Sequence, residues 1–167
     1  MHEVPRAEPP HPAQDVFEHV GYRLKQAHAA LRGAMDAVLR EHALTVPQYS
    51  CLEVLAARPG LSNAELARAT FVTRQSMNVV LRGLQSAGLL SRPDTVATGR
   101  ARPTTLTDEG RRRLRAAQRD VYAVEARMVS ALPAGRLEAL LTDLGRVTRA
   151  LHDDHPDHAG ALGEPGT

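Results

Sequence analysis

Leu61-Ser62-Asn63-Ala64-Glu65-Leu66-Ala67-Arg68-Ala69-Thr70, then Phe71-Val72, then Thr73-Arg74-Gln75-Ser76-Met77-Asn78-Val79-Val80-Leu81-Arg82-Gly83-Leu84: this stretch decides the fold of the 167-residue chain. Ser62 followed three residues later by Glu65 is a capping-box signature, which opens a short helix to about Thr70. After a two-residue break, Thr73 is placed to cap a second helix running to Ala87, with Gly88 set to end it in a left-handed conformation. Met77, Val80, Leu81 and Leu84 recur at three- and four-residue steps and give that second helix an apolar back. Two short capped helices joined by a tight turn are the predicted unit.

Downstream, Leu89-Leu90-Ser91-Arg92 reads as a short strand and Pro103-Thr104-Thr105-Leu106 as its return, with a polar, turn-prone stretch from Pro93 to Arg102 between them. A helix pair followed by a β-hairpin is the winged form of the helix-turn-helix. Thr107-Asp108-Glu109 starts another helix, its acids favourable at the positive end of the dipole. Leu114, Ala117, Val121, Val124 and Met128 carry it to about Leu132. Pro133 begins the last helix, with Leu137, Leu140, Leu141, Leu144, Val147 and Leu151 on one face. Upstream, Thr45-Val46-Pro47-Gln48 is another capping box with proline in the first turn, opening a helix that stops near Arg58-Pro59-Gly60. From Asp15 to Glu41, Phe17, Val20, Leu24, Ala27, Leu31, Met35 and Val38 mark a longer helix.

The expected architecture is mainly α with a small β-hairpin wing. Residues 15–152 form one domain: a winged helix-turn-helix lobe at 45–106, flanked by dimerisation helices at 15–41 and 107–152. Residues 1–13 and 153–167, rich in Pro with His or acids, are expected to be disordered. The interface of a homodimer is expected from Phe17, Val20 and Leu24 with Leu137, Leu141, Leu144 and Val147.

Composition agrees with helices packed on helices: aromatics are 3% of residues, with no Trp. No apolar run approaches the roughly 20 residues of a membrane span. The N-terminus lacks a secretory pattern and Cys51 is the only cysteine, so a cytoplasmic protein is expected. The net charge is only +2, but its distribution is uneven. Between Ser62 and Arg119 eleven arginines face four acids, a surplus of seven positive charges; the rest of the chain carries five net negative charges. A basic surface on an acidic body is what phosphate binding requires.

The residue types on the second helix suit double-stranded DNA. Arg74, Gln75, Ser76 and Asn78, after the cap Thr73, stand near its N-terminal end. Arginine matches guanine O6/N7, and Gln or Asn matches adenine N6/N7. Arg68, Arg82, Arg92, Arg100 and Arg102 are candidate phosphate contacts. Arg111-Arg112-Arg113, at the start of the helix after the wing, reads either as a solvated run or as a further phosphate contact.

The chain resembles the MarR-type (multiple antibiotic resistance) regulators. The resemblance lies in Leu44-Thr45-Val46-Pro47-Gln48-Tyr49, Leu61-Ser62-Asn63-Ala64-Glu65-Leu66-Ala67 and Val72-Thr73-Arg74-Gln75-Ser76-Met77-Asn78. It continues in Gly88-Leu89-Leu90-Ser91-Arg92, Gly99-Arg100 and Leu106-Thr107-Asp108-Glu109-Gly110. It implies a dimer built from the first and last two helices, a recognition helix at 73–87, a wing near 93–102, and control of nearby genes, often relieved by a small aromatic or anionic ligand. Two positions depart from the pattern. The wing reads Asp94-Thr95-Val96-Ala97-Thr98-Gly99-Arg100 where many relatives have an Asp-x-Arg pair, and Val79 stands at a recognition-helix position that is often basic.

Other residues invite functional readings beside bland ones. Cys51, next to Leu52 in mid-helix, reads as a buried thiol; the competing reading is a redox-responsive regulator. His152, His155 and His158 sit near acids, but Pro156 breaks any helix there and no metal site is assigned. Tyr22, His28 and Tyr49 are candidate ligand-pocket residues or ordinary interior side chains. No nucleophile elbow, CxxC, HExxH or Walker-type loop is present, so neither catalysis nor a cofactor is expected. A winged-helix interaction module without DNA binding is the alternative that the arginines oppose.

Overall fold

The computed structural model describes residues 16–91 and 104–152, with the side chain of His152 left out. A 3-10 turn at Val16–Glu18 leads into α1 (Val20–Arg40), then α2 (Val46–Ala57), α3 (Asn63–Ala69) and α4 (Arg74–Ser86). The strands β1 (Leu90–Ser91) and β2 (Thr105–Leu106) follow, then α5 (Asp108–Ser130) and α6 (Leu137–His152). The mainly helical architecture with a small antiparallel pair is as expected. The expected tails, 1–13 and 153–167, and the wing from Arg92 to Pro103 lie outside the described residues.

The local signals act as read. At α2, Gln48 N–H donates to Thr45 Oγ1 at 3.4 Å and Thr45 N–H to Gln48 Oε1 at 2.9 Å. At α3 the same exchange joins Glu65 N–H to Ser62 Oγ (3.3 Å) and Ser62 N–H to Glu65 Oε2 (2.7 Å). Gly88 adopts φ +69°, a conformation that costs a residue without Cβ little.

Tyr49, Cys51, Leu52 and Leu55 of α2, Leu66 of α3, Met77, Leu81 and Leu84 of α4, and Leu89, Leu90 and Leu106 around the strands form one core. Leu114, Ala117 and Val121 of α5 close it. From α1 the fully buried residue is Leu39, with Met35 and Val38 packed at the margin. Phe17, Val20 and Leu24, expected at a dimer interface, and Leu31 of the same stripe are exposed in the single chain, where only the end of α1 contributes to the core. Met128 is likewise exposed, beyond the end of that core. The last helix starts at Leu137 rather than at Pro133, since Gly135 takes φ +77° in a turn closed by Arg136 N–H to Pro133 O at 3.1 Å.

The wing base is fastened to α5 by Thr107. Its hydroxyl donates to Gly88 O (2.7 Å) and accepts from Gly110 N–H (3.0 Å), while its N–H reaches Leu89 O (3.1 Å). Gly110 is required by this close approach: a Cβ there would lie 2.1 Å from Leu89 O.

Candidate nucleic-acid interface

α3 and α4 are joined by a turn in which Thr70 N–H and Oγ1 both bond Leu66 O (3.0 and 2.7 Å) and Val72 N–H bonds Ala67 O (3.0 Å). Phe71, at the apex, sits at φ +57° and is 78% exposed. Thr73 then caps α4 through Ser76 N–H at 3.1 Å, and its own hydroxyl donates to Ser76 Oγ at 2.9 Å. Met77, Leu81 and Leu84 pin the back of α4 to the core, so the opposite side must face outward. Arg74, Gln75, Ser76, Asn78, Val79 and Arg82 are all exposed there, and Arg68 is exposed on α3. Among the described residues Arg68, Arg74 and Arg82 make no salt bridge, although Arg68 lies near enough to Glu65 to help lower its carboxyl pKa.

Asn78 is less free than its sequence position suggests. Its Oδ1 accepts from Asn63 Nδ2 at 2.5 Å, which ties the first turn of α3 to α4. That bond takes one of the two acceptor sites of Oδ1 and orients the amide, so a two-bond contact to adenine is made in the orientation Asn63 sets or after this bridge breaks. Asn63 Oδ1 is itself buried without a partner. The pairing joins residues fifteen apart in sequence, and no local pattern announces it.

Arg92, Arg100 and Arg102 lie outside the described residues. The arginine run after the wing is engaged locally: Arg111 pairs with Asp108 (3.6 Å), and Arg112 and Arg113 both pair with Glu109 (2.7 and 3.0 Å). Those two arginines, Arg112 first, hold the Glu109 carboxyl below the usual carboxylate range. On the outer face of α5, Arg112, Arg115, Ala116, Gln118, Arg119 and Tyr122 line an open hollow of about 590 Å³.

Among the described residues no hydrogen bond or ring contact joins the candidate pocket residues Tyr22, His28 and Tyr49 to one another. Tyr49 is buried and donates its hydroxyl to Glu53 Oε1 at 2.7 Å; burial first and that carboxylate second raise its pKa. Tyr22 packs edge-on against Phe17, ring centroids 5.0 Å apart. At about 100° per residue His28 lies roughly 120° around α1 from Tyr22. Cys51 is fully buried and burial pushes its thiol up to about 12, the reverse of a reactive thiolate. An unforeseen contact links the α1–α2 turn to α5, where His42 Nε2 meets Asp120 Oδ2 at 2.6 Å. Among the described residues no helix is long and apolar enough to cross a membrane.

A capped helix pair whose second helix turns a polar, cationic face outward, followed by a two-stranded wing base, defines a winged helix-turn-helix protein. The profile of the MarR family matches residues 43–101. The HTH-type transcriptional repressor Rv2887 of Mycobacterium tuberculosis is 45% identical over 115 residues, 69% of this chain and 83% of that protein. The crystal structure of Rv2887 in complex with DNA superposes with a TM-score of 0.64 and 39% identity, covering 77% of this chain and 97% of that one. Its complex with salicylic acid does so with a TM-score of 0.64 and 41% identity, covering 77% and 96%. The chain belongs to the MarR family of transcriptional regulators.

Proposed function

We propose that the chain is a homodimeric repressor that binds a pseudo-palindromic operator through α4 and is released by a small aromatic or anionic ligand. The observation that carries it is the α4 surface, apolar and buried at Met77, Leu81 and Leu84, polar, cationic and uncovered on the other side. In this reading α4 enters the major groove, with Thr73, Arg74, Gln75, Ser76 and Asn78 toward base edges. Arg68, Arg82, Arg92 and Arg102 hold phosphates, and Arg100 enters a narrow minor groove from the wing. The role is binding rather than catalysis, and its place is the cytoplasm.

The dimer is supported by α6, which among the described residues has no buried residue and no extensive packing against another helix or strand. Leu137, Leu141, Leu144 and Val147, with Phe17, Val20 and Leu24, are an apolar face that a second copy covers. A two-fold dimer presents the same helix to each half-site, hence the pseudo-palindrome. α5, with 23 residues, spans about 35 Å, comparable to the roughly 34 Å between half-sites one duplex turn apart. Ligand release rests on the kinship with Rv2887, crystallised with salicylic acid. Tyr22, His28 and Tyr49 form a pocket only if the partner copy completes it.

The test is operator selection from random DNA followed by a salt-titrated gel shift. A pseudo-palindromic consensus and affinity that falls steeply with salt are expected. A chain that binds no duplex at low salt is an interaction module instead.

A further inference from the structure

Nearly all exposed large apolar side chains of the described residues lie on α1, α5, α6 and the turn before α1. In the DNA-binding lobe there are two, Phe71 in the turn and Val79 on α4. Val79 is 57% exposed, and its position on the helix is informative. At about 100° per residue, Gln75, Val79 and Arg82 lie on the crest of α4, opposite the stripe of Met77, Leu81 and Leu84. Asn78 lies to one flank, where Asn63 holds its carbonyl oxygen. The centre of the crest is therefore a valine, with Gln75 one turn before it and Arg82 nearly one turn after.

We propose that Val79 reads the C5-methyl group of a thymine in each operator half-site. This rests on the reading that α4 enters the major groove. A crest residue is then pressed against base edges and loses its water. Donors and acceptors fill the major-groove edges of all four base pairs, and the thymine methyl is the apolar group among them. Against a purine, Val79 covers a polar edge it cannot bond, which is costly to leave unsatisfied; against cytosine it meets a bare C5–H and loses the methyl contact. Valine suits the contact for a second reason: its stiff χ1 loses little rotamer freedom on docking. Gln75 on one side bonds a neighbouring base and Arg82 on the other a phosphate, so the apolar contact is framed by polar ones.

The experiment uses the full chain and its Val79→Ala variant. The exposed site and the better helix propensity of alanine keep the variant folded. Consensus operators are selected for both proteins, and each thymine of the wild-type site is then replaced by deoxyuridine, which removes only the methyl. One symmetric thymine pair is expected to matter. Losing its methyls weakens wild-type binding about fourfold per half-site, from the value of one buried carbon, and leaves Val79→Ala binding unchanged. The variant's selected consensus is expected to lose its preference for thymine there. If no uracil substitution weakens the wild type, or if both proteins lose equally, Val79 does not read a methyl and the proposal falls. A gain for 5-methylcytosine over cytosine without one for thymine over uracil moves the contact to a modified base and overturns the thymine assignment. Absence of any DNA binding removes the major-groove reading itself, a result separate from binding that ignores the methyl.

Discussion

The winged helix-turn-helix lobe and the α1/α6 arm have similar supplies of leucine and valine but use them differently. In the lobe, Leu52, Leu55, Leu66, Met77 and Leu84 are sealed from solvent within one chain. In α6, Leu137, Leu140, Leu141, Leu144, Val147 and Leu151 all remain exposed, Leu141 at 61%. Amphipathic periodicity is as clear in α4 of the lobe as in α6. It therefore reports that a face will be covered, without saying by which chain. The lobe is a finished core; the arm is half of one.

The substitution that breaks this contrast most strongly lies on the arm. Replacing Leu141 and Leu144 together with Glu puts charge on the apolar face of α6 while removing nothing from the lobe core. Sedimentation should show a monomer at micromolar concentration, with the helical circular dichroism of the lobe retained. Operator affinity should fall about 100-fold or more, because two linked half-site contacts become independent ones. A variant that stays dimeric would place the interface elsewhere.

Next in size is a change inside the lobe. Gly110→Ala would drive a Cβ to 2.1 Å from the Leu89 carbonyl oxygen, which itself accepts from Thr107 N–H at 3.1 Å. The backbone has to part, and the Thr107 bonds that fasten the wing base to α5 go with it. A loss of about 3 kcal/mol is expected from such overpacking, read as a melting temperature lower by about 10 °C. An unchanged melting temperature would mean that this junction is soft.

Much of the lobe was legible because its signals are local. Ser62 with Glu65, Thr45 with Gln48, Thr73 before the stripe of α4 and Gly88 after it each act within a few residues, and each element starts or stops where they stand. Contacts between elements were not legible. Leu39 is the buried residue of α1, although it stands outside the stripe that runs from Phe17 to Val38, because sequence does not say where one helix leaves the surface of another. The Asn63–Asn78 bridge and the His42–Asp120 contact join distant positions and leave no periodic trace.

Phe71 sharpens the comparison from the other side, as a blemish in the finished region. Its φ of +57° is unfavourable for any residue with a Cβ and its ring is 78% exposed, so little packing is lost on removing it. Phe71→Gly should stabilise the fold by up to about 1 kcal/mol, the left-handed penalty less the chain entropy of glycine. Chemical denaturation would detect this as a higher midpoint with an unchanged slope. A lower midpoint would show that the ring packs in the native state more than its exposure suggests.

The smallest effect expected is a pH dependence at the start of α3. The Glu65 carboxyl is held below its ordinary range by hydrogen bonding from the Ser62 hydroxyl first and from the Ser62 backbone N–H second. A carboxyl with a lower pKa in the folded state adds stability at pH above its unfolded value, near 4.3, and loses it as pH falls through the folded value. Glu109 is shifted in the same direction by Arg112 and Arg113, so both carboxylates contribute to acid destabilisation. Glu65→Gln keeps an oxygen that can accept from Ser62 N–H but removes the titration. The variant should be slightly less stable than the wild type at pH 7 and should lose less on going to pH 3, with the Glu109 contribution remaining. Urea midpoints for both proteins at the two pH values measure this directly. Equal acid losses would mean that water screens the Glu65 charge and that this capping box works through its hydrogen bonds alone.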